Sequence, residues 1–176
     1  GDGSLDCKKS TDVTFSYNHF WDNGKSNLLG LSEGDTSDLH ITYHHNWYDH
    51  SDSRHPRVRY YSAHVYNNYY DGNSKYGVGS TLGSSVFVEA NYFRNCKHPM
   101  LTAGQGTGLW TGTAYDHASK GTFSGENGGT IKAWNNHIEG AERFAAYGND
   151  SFPGTTAEFD AYVVAKRTDL VPEDAT

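Results

Sequence analysis

The sequence predicts an all-β chain, and within that class a parallel β-helix. Three observations lead there. Twenty Gly, thirteen Tyr and a single Met, with short β-branched and aromatic runs set between Asn, Gly and Ser clusters, favour strands and turns over helices. Five segments then follow one pattern: VTFSYNHF, ITYHHNWY, AHVYNNYY, VFVEANYF and IKAWNNHI. Finally, the chain has neither the Leu framework of a leucine-rich repeat nor the 3.6-residue apolar spacing of a helical repeat, which leaves a β-solenoid.

Each of the five segments carries β-rich residues into an Asn followed by an aromatic or apolar pair. The reference asparagines are Asn18, Asn46, Asn68, Asn91 and Asn136, spaced 28, 22, 23 and 45 residues apart, the last gap holding the Gly-rich stretch Gly104 to Gly129. One Asn alone commonly ends a strand at a turn. Five in register are expected to form a ladder, because equivalent positions of successive coils lie about 4.8 Å apart and a buried Asn can bond to the coils on either side. Cys7 falls near the first coil and Cys96 near the fourth. Several such rises exceed the roughly 7 Å a disulfide spans between Cα atoms, so free thiols are expected.

With 176 residues and a hydrophobic fraction of 35%, the chain is expected to be one domain, 1–176, whose tail 152–176 can run back along the solenoid. A net charge of −7 gives no field that attracts nucleic acid, so an anionic ligand needs a local basic site. No apolar stretch reaches the length of a membrane helix, and no membrane partner is expected. The ten histidines show no spacing that demands a transition metal, and adjacent His44 and His45 are expected on opposite faces of a strand. The abrupt Gly1-Asp2 start suggests a processed protein or fragment, with a possible homodimer through the exposed strand edges of the N-terminal coil.

The candidate site centres on SRHPRVR, Ser53 to Arg59. Pro56 favours an extended segment that holds Arg54 and Arg59 in a fixed relation. Counted from their reference asparagines, Lys25, Lys75, His98 and Arg143 stand at +7 and Arg54 at +8. If the turns keep phase these residues form one column, in which Lys25 and Arg54 are neighbours on successive coils. Taken alone, Lys75, His98 and Arg143 read as solvated turn residues. Asp2 and Asp6 form a D-x-x-x-D pattern whose carboxylates suit a hard cation such as Ca²⁺.

In order along the chain, DGSLDCKKSTDVTFSYNHF, DNGKSNLLG, ITYHHNWY, SRHPRVR and AHVYNNYY resemble the pectate lyases of polysaccharide lyase family 1, most clearly from Asp2 to Phe93. The resemblance implies a right-handed parallel β-helix, of which this chain would be the C-terminal part, truncated at its N-terminal end. It implies a secreted, extracellular, Ca²⁺-dependent lyase acting in pectin degradation. Its reaction would be eliminative cleavage of α-1,4-linked polygalacturonate to 4,5-unsaturated oligogalacturonates. Arg54 matches the family's catalytic base, Lys25 and Arg59 its substrate-carboxylate ligands, and Asp2 and Asp6 two of its calcium ligands. The first of these acids is often Glu in the family. Arg57 is not carried over and reads as surface charge.

In such an elimination a base takes the C5 proton and the C4 glycosidic oxygen leaves. Arginine is protonated until about pH 12, so the site must disfavour the charged guanidinium. Lys25, Arg59 and Ca²⁺ nearby would do so, and an alkaline optimum is expected. A hydrolase of the same substrate would need paired acid and base carboxylates, and its N-T-D, G-H-G and R-I-K motifs are absent. A second reading stays open at this point: a polygalacturonate-binding module with little or no turnover.

Overall fold

The computed structural model describes residues 3–31, 39–102, 105–108, 113–116 and 126–139. Its strands fall into coils of three. β1 (Val13–Ser16), β2 (His19–Trp21) and β3 (Leu28–Leu29) form the first coil, and β4 (His40–His44), β5 (Trp47–Asp49) and β6 (Arg57–Arg59) the second. β7 (Ser62–Tyr66), β8 (Tyr69–Asp71) and β9 (Val78–Thr81) form the third, followed by β10 (Ser85–Glu89), β11 (Tyr92–Arg94) and β12 (Met100–Thr102). A hairpin of β13 (Gln105–Gly108) and β14 (Thr113–Asp116) precedes β15 (Thr130–Trp134) and β16 (His137–Glu139).

Equivalent strands of successive coils pair in parallel, giving three sheets: β1-β4-β7-β10-β15-β13-β14, β2-β5-β8-β11-β16 and β3-β6-β9-β12. Only the β13–β14 pair is antiparallel among the named strands described. This is the parallel β-helix that the repeat predicts.

Period-two alternation explains the core. In the first sheet Ile41, Tyr43, Ala63, Val65, Val86, Val88, Ile131 and Ala133 point inward, and their strand neighbours point out. In the second sheet Phe20, Tyr48, Tyr70 and Phe93 stack face to face at 5.1, 5.0 and 4.3 Å. In-register stacking of like residues lets each aromatic ring meet the same shape one rung away.

The asparagine ladder forms as expected. Asn18 Nδ2 donates to Asn46 Oδ1 at 2.9 Å, and Asn46 to Asn68, Asn68 to Asn91 and Asn91 to Asn136 at 3.0 Å each. The same acceptor oxygens also take the backbone N–H of the preceding rung's Asn. Every interior amide therefore satisfies a turn that would otherwise bury unpaired polar groups. The residue just before each Asn is left-handed, with φ of 57, 53, 51, 50 and 49° at Tyr17, His45, Asn67, Ala90 and Asn135. That conformation costs an L-residue about 1–2 kcal/mol, which the ladder bonds offset.

This turn corrects one sequence expectation. His44 and His45 do not diverge across a strand, because His45 leaves it in the left-handed turn and its Nδ1 lies 2.8 Å from Nδ1 of His44. Cys7 and Cys96 are buried free thiols, as the coil spacing predicts. The tail 152–176 lies outside the described residues.

Candidate active site

The third sheet gathers the basic residues. Lys25 bridges in parallel to Ser53, and Leu28 and Leu29 pair with Arg57 and Val58. Between these two anchors the upper coil runs from Lys25 to Leu28 and the lower from Ser53 to Arg57, one residue longer. The extra residue behaves as a bulge does, re-aiming a side chain at the sheet's margin. Arg54 sits in it with φ of 65°, a left-handed value unusual for a non-glycine residue, and its carbonyl accepts the N–H of Asn27 at 2.7 Å.

SRHPRVR is therefore not extended throughout. It turns at His55-Pro56, a cis peptide bond, and becomes strand only at Arg57–Arg59. His55 is the fixed point of that turn. Its ring is fully buried, its Nδ1 lies 2.9 Å from the Tyr76 carbonyl, and its own carbonyl accepts the Tyr70 hydroxyl at 2.8 Å. Burial pushes its pKa down to about 3, so the ring is neutral.

Arg54 lies against Tyr76, whose hydroxyl contacts the Ser53 and Arg54 side chains. Burial pushes that phenol up to about 12, and the charges of Arg57 and Arg54 hold it back. Tyr76 stands at +8 from its ladder Asn, the same offset as Arg54. The sequence held this signal, which an expectation of +7 passed over.

The single column expected from the repeat splits in two. Lys75 N–H donates to the Asp52 carbonyl at 2.9 Å, which sets Lys75 below Ser53 and Lys25. Gly77 N–H donates to the His98 carbonyl at 2.9 Å, which sets His98 beside Tyr76 and Arg54. The turns of these three coils keep phase at +7, where Lys25, Ser53 and Lys75 stack, and Arg54 falls outside that row because it stands at +8. The Lys75 ammonium is paired with Asp52 at 2.9 Å, and Arg143 lies outside the described residues.

Arg57 and Arg59 alternate with inward Val58 and so share the outer face of β6. Both donate to Glu126: Arg57 Nη2 to Oε2 at 2.6 Å, Arg59 Nε to Oε2 at 3.3 Å, and Arg59 Nη2 to Oε1. The expectation of surface charge at Arg57 is corrected here, since its side chain is only 11% exposed and ion-paired. Glu126 was not foreseen. It follows the Gly-rich stretch, outside the repeat, and the adjoining glycines were its only trace in the sequence.

Of the two candidate calcium acids, Asp2 lies outside the described residues. Asp6 precedes core residue Cys7 and points outward next to Leu28, whose N–H donates to Asp6 Oδ1 at 2.8 Å. Gly3, at φ of 90°, lies so close that a Cβ there would collide with the Asp6 carboxylate. A hard oxygen donor in a backbone cradle fits Ca²⁺ in kind, while the described residues supply one such ligand. A different trio, Asp49, His50 and Asp71, converges on the second sheet. Its carboxylates are already engaged, Asp71 by Arg94 Nε at 3.0 Å and Asp49 by His19 Nε2 at 2.9 Å, and its imidazole is a poor calcium donor. A groove of about 460 Å³, lined by His40, Thr42, His64, Phe87 and Lys132 among others, follows the first sheet, whereas Arg57 and Arg59 belong to the third.

The family profile described as pectate lyase matches residues 1–119. The chain is 35% identical over 129 residues to a pectate trisaccharide-lyase of Bacillus licheniformis, covering 72% of this chain and 36% of that protein. It is 33% identical over 162 residues to pectate lyase 3 of Pectobacterium carotovorum, covering 89% and 38%. Against a pectate lyase of Bacillus subtilis it is 39% identical over 101 residues, covering 51% and 24%. The chain thus spans less than half the length of each of these relatives. On the profile match, the identities and the stacked parallel sheets together, the chain belongs to the pectate lyase family.

Proposed function

We propose that this chain carries the base and carboxylate-binding part of a calcium-dependent pectate lyase site, acting on α-1,4-linked polygalacturonate by β-elimination. What supports the reading is that Lys25 on one coil and Arg54 and Arg59 on the next lie along neighbouring coils of the third sheet, Lys25 opposite Ser53 and Arg54 at the extra residue of its coil. In this reading Arg54 takes the C5 proton of a galacturonate unit and the C4 oxygen departs with the glycosidic bond's electron pair. A 4,5-unsaturated uronide is left and no water is consumed. Lys25 and Arg59 bind uronate carboxylates and stabilise the negative charge that develops as C5 is deprotonated.

Asp6, with Asp2, would hold Ca²⁺, whose charge would neutralise a uronate carboxylate and make the adjacent C5 proton more acidic. A guanidine base is scarce below about pH 12, so turnover should rise toward alkaline pH. Secretion follows from the extracellular location of the polymer.

A second reading, a polygalacturonate-binding module without turnover, is favoured by the Glu126 carboxylate already seated on Arg59. One assay separates the two. Absorbance of the new C4–C5 double bond is followed on polygalacturonate with calcium, with chelator, and with Arg54→Ala. Product that needs both calcium and Arg54 supports the lyase, and binding without product supports the module. Equal product in all three conditions would sink the proposed mechanism.

A further inference from the structure

The clamp proposed for the substrate already holds a carboxylate. Glu126 engages Arg59 through Nε and Nη2, the two-nitrogen edge that an incoming uronate would use, and takes a third bond from Arg57. The contact is part of the fold. Leu82 N–H donates to the Asn127 carbonyl at 2.6 Å, Gly83 N–H to the Gly128 carbonyl at 3.2 Å, and Gly128 bridges antiparallel to Thr81. Gly129 permits this approach, because a Cβ there would collide with the Ser80 hydroxyl. The segment is thus tied to the end of β9, one coil beyond the arginines, with its carboxylate turned onto them. The side chains of Arg57, Arg59 and Glu126 are 11%, 18% and 28% exposed, so solvent screens the group weakly.

Two guanidiniums on one strand face repel each other and need a counter-charge. Glu126 supplies it when no substrate is present, and a galacturonate carboxylate has the same charge and the same fork geometry. We propose that Glu126 is an internal competitor that closes the Arg57–Arg59 clamp, and that a galacturonate carboxylate binds Arg59 by displacing it. The inference rests on the reading of Arg59 as a substrate-carboxylate ligand. The exchange makes and breaks no covalent bond, and the charge at the clamp is the same before and after. Affinity for the polymer is then lowered by the fraction of clamps that Glu126 keeps closed.

The test is calorimetric titration of trigalacturonate, in chelator, into the full chain and into Glu126→Gln, Glu126→Asp, Arg59→Ala and the Glu126→Gln/Arg59→Ala pair. Thermal melts check each variant's folding. Glu126→Gln should bind about tenfold or more tightly than the unaltered chain, since it removes a charge-assisted pair that the ligand must otherwise break. Glu126→Asp, which keeps the charge but loses reach, should gain less. Arg59→Ala should bind more weakly, and the gain from Gln should vanish in the double variant. Unchanged or weaker binding in Glu126→Gln, with Arg59→Ala still impaired, overturns the competitor and leaves Arg59 as ligand. A gain that persists without Arg59 also overturns it, as a general charge effect. No change in Arg59→Ala removes the clamp reading itself.

Discussion

The asparagine ladder and the basic edge are built from the same coils by opposite means. At the ladder each rung repeats the same residue, the same left-handed predecessor and the same pair of bonds, from Asn18 to Asn136. At the basic edge one coil is a residue longer than the one above, Arg54 takes a left-handed φ of 65°, Lys25 stands opposite Ser53, and Arg54 meets Tyr76 of the next coil rather than a copy of itself. Repetition fixes rise and register. Departure from it brings unlike residues together, which general acid–base chemistry requires. On the proposed function, stability and reactivity fall to different corners of one solenoid.

The largest expected effect follows from that division. Arg54→Lys retains a cation but not the planar guanidine base, and should lower unsaturated-product formation by about 10²–10⁴-fold. Its melting temperature should stay close to that of the parent, because the ladder and aromatic stacks are untouched. A variant that lost activity only in proportion to lost folding would erase the distinction between the two corners.

Asn68→Ala is the mirror experiment. Asn68 receives the Asn46 backbone N–H and side-chain amide and gives its own to Asn91 and to the Tyr43 and Tyr66 carbonyls. Its loss strands several buried groups, for a cost of about 3 kcal/mol or more in denaturant unfolding. Asn18, half-buried at the end of the ladder, bonds one neighbouring rung and should cost about 1 kcal/mol when replaced by Ala. Equal costs at the two positions would mean that the ladder is not cooperative with burial.

The same contrast decides what the sequence could reveal. The ladder was legible because identical asparagines recur in equivalent contexts, and five repetitions outweigh the ordinary use of Asn at turns. Lys25 and Arg59 stood out through the +7 count and the SRHPRVR segment, while the substrate-binding roles proposed for them come only from the resemblance to a family motif. The pairing of Arg54 with Tyr76 was present as their shared +8 offset, but a single coincidence of offset between unlike residues carries no weight beside the four residues at +7. Glu126 was hidden for another reason: it reaches Arg57 and Arg59 across 69 and 67 residues from a segment that follows no repeat.

Acid should find the basic edge before the ladder, since the ladder contains no titrating group. His55 is held neutral beneath Arg54, with its pKa lowered by burial to about 3. The unfolded chain binds that proton near pH 6.5 and the folded chain does not, so His55's contribution is whole above pH 6.5 and is lost as pH falls toward 3. The loss is about 1.4 kcal/mol per pH unit in that window, measurable as a falling unfolding midpoint. His55→Gln, which cannot take up that proton, should flatten this part of the pH profile. An unchanged slope would assign acid sensitivity to other groups.

The smallest effect is expected at Lys75. It lies in the Lys25 row but is held by Asp52 in a pair whose side chains are 58% and 40% exposed. The carboxyl of Asp52 is kept below its usual range first by the Ser74 hydroxyl and then by Lys75, so the pair does not depend on the lysine alone. Lys75→Ala should therefore change stability by less than about 1 kcal/mol. Its effect on polygalacturonate affinity sharpens the comparison. If the row below Lys25 extends the substrate groove, affinity should fall modestly and the fall should shrink as salt is raised. Unchanged affinity at low salt would end the groove at Arg54 and leave Lys75 with Asp52 as a surface pair.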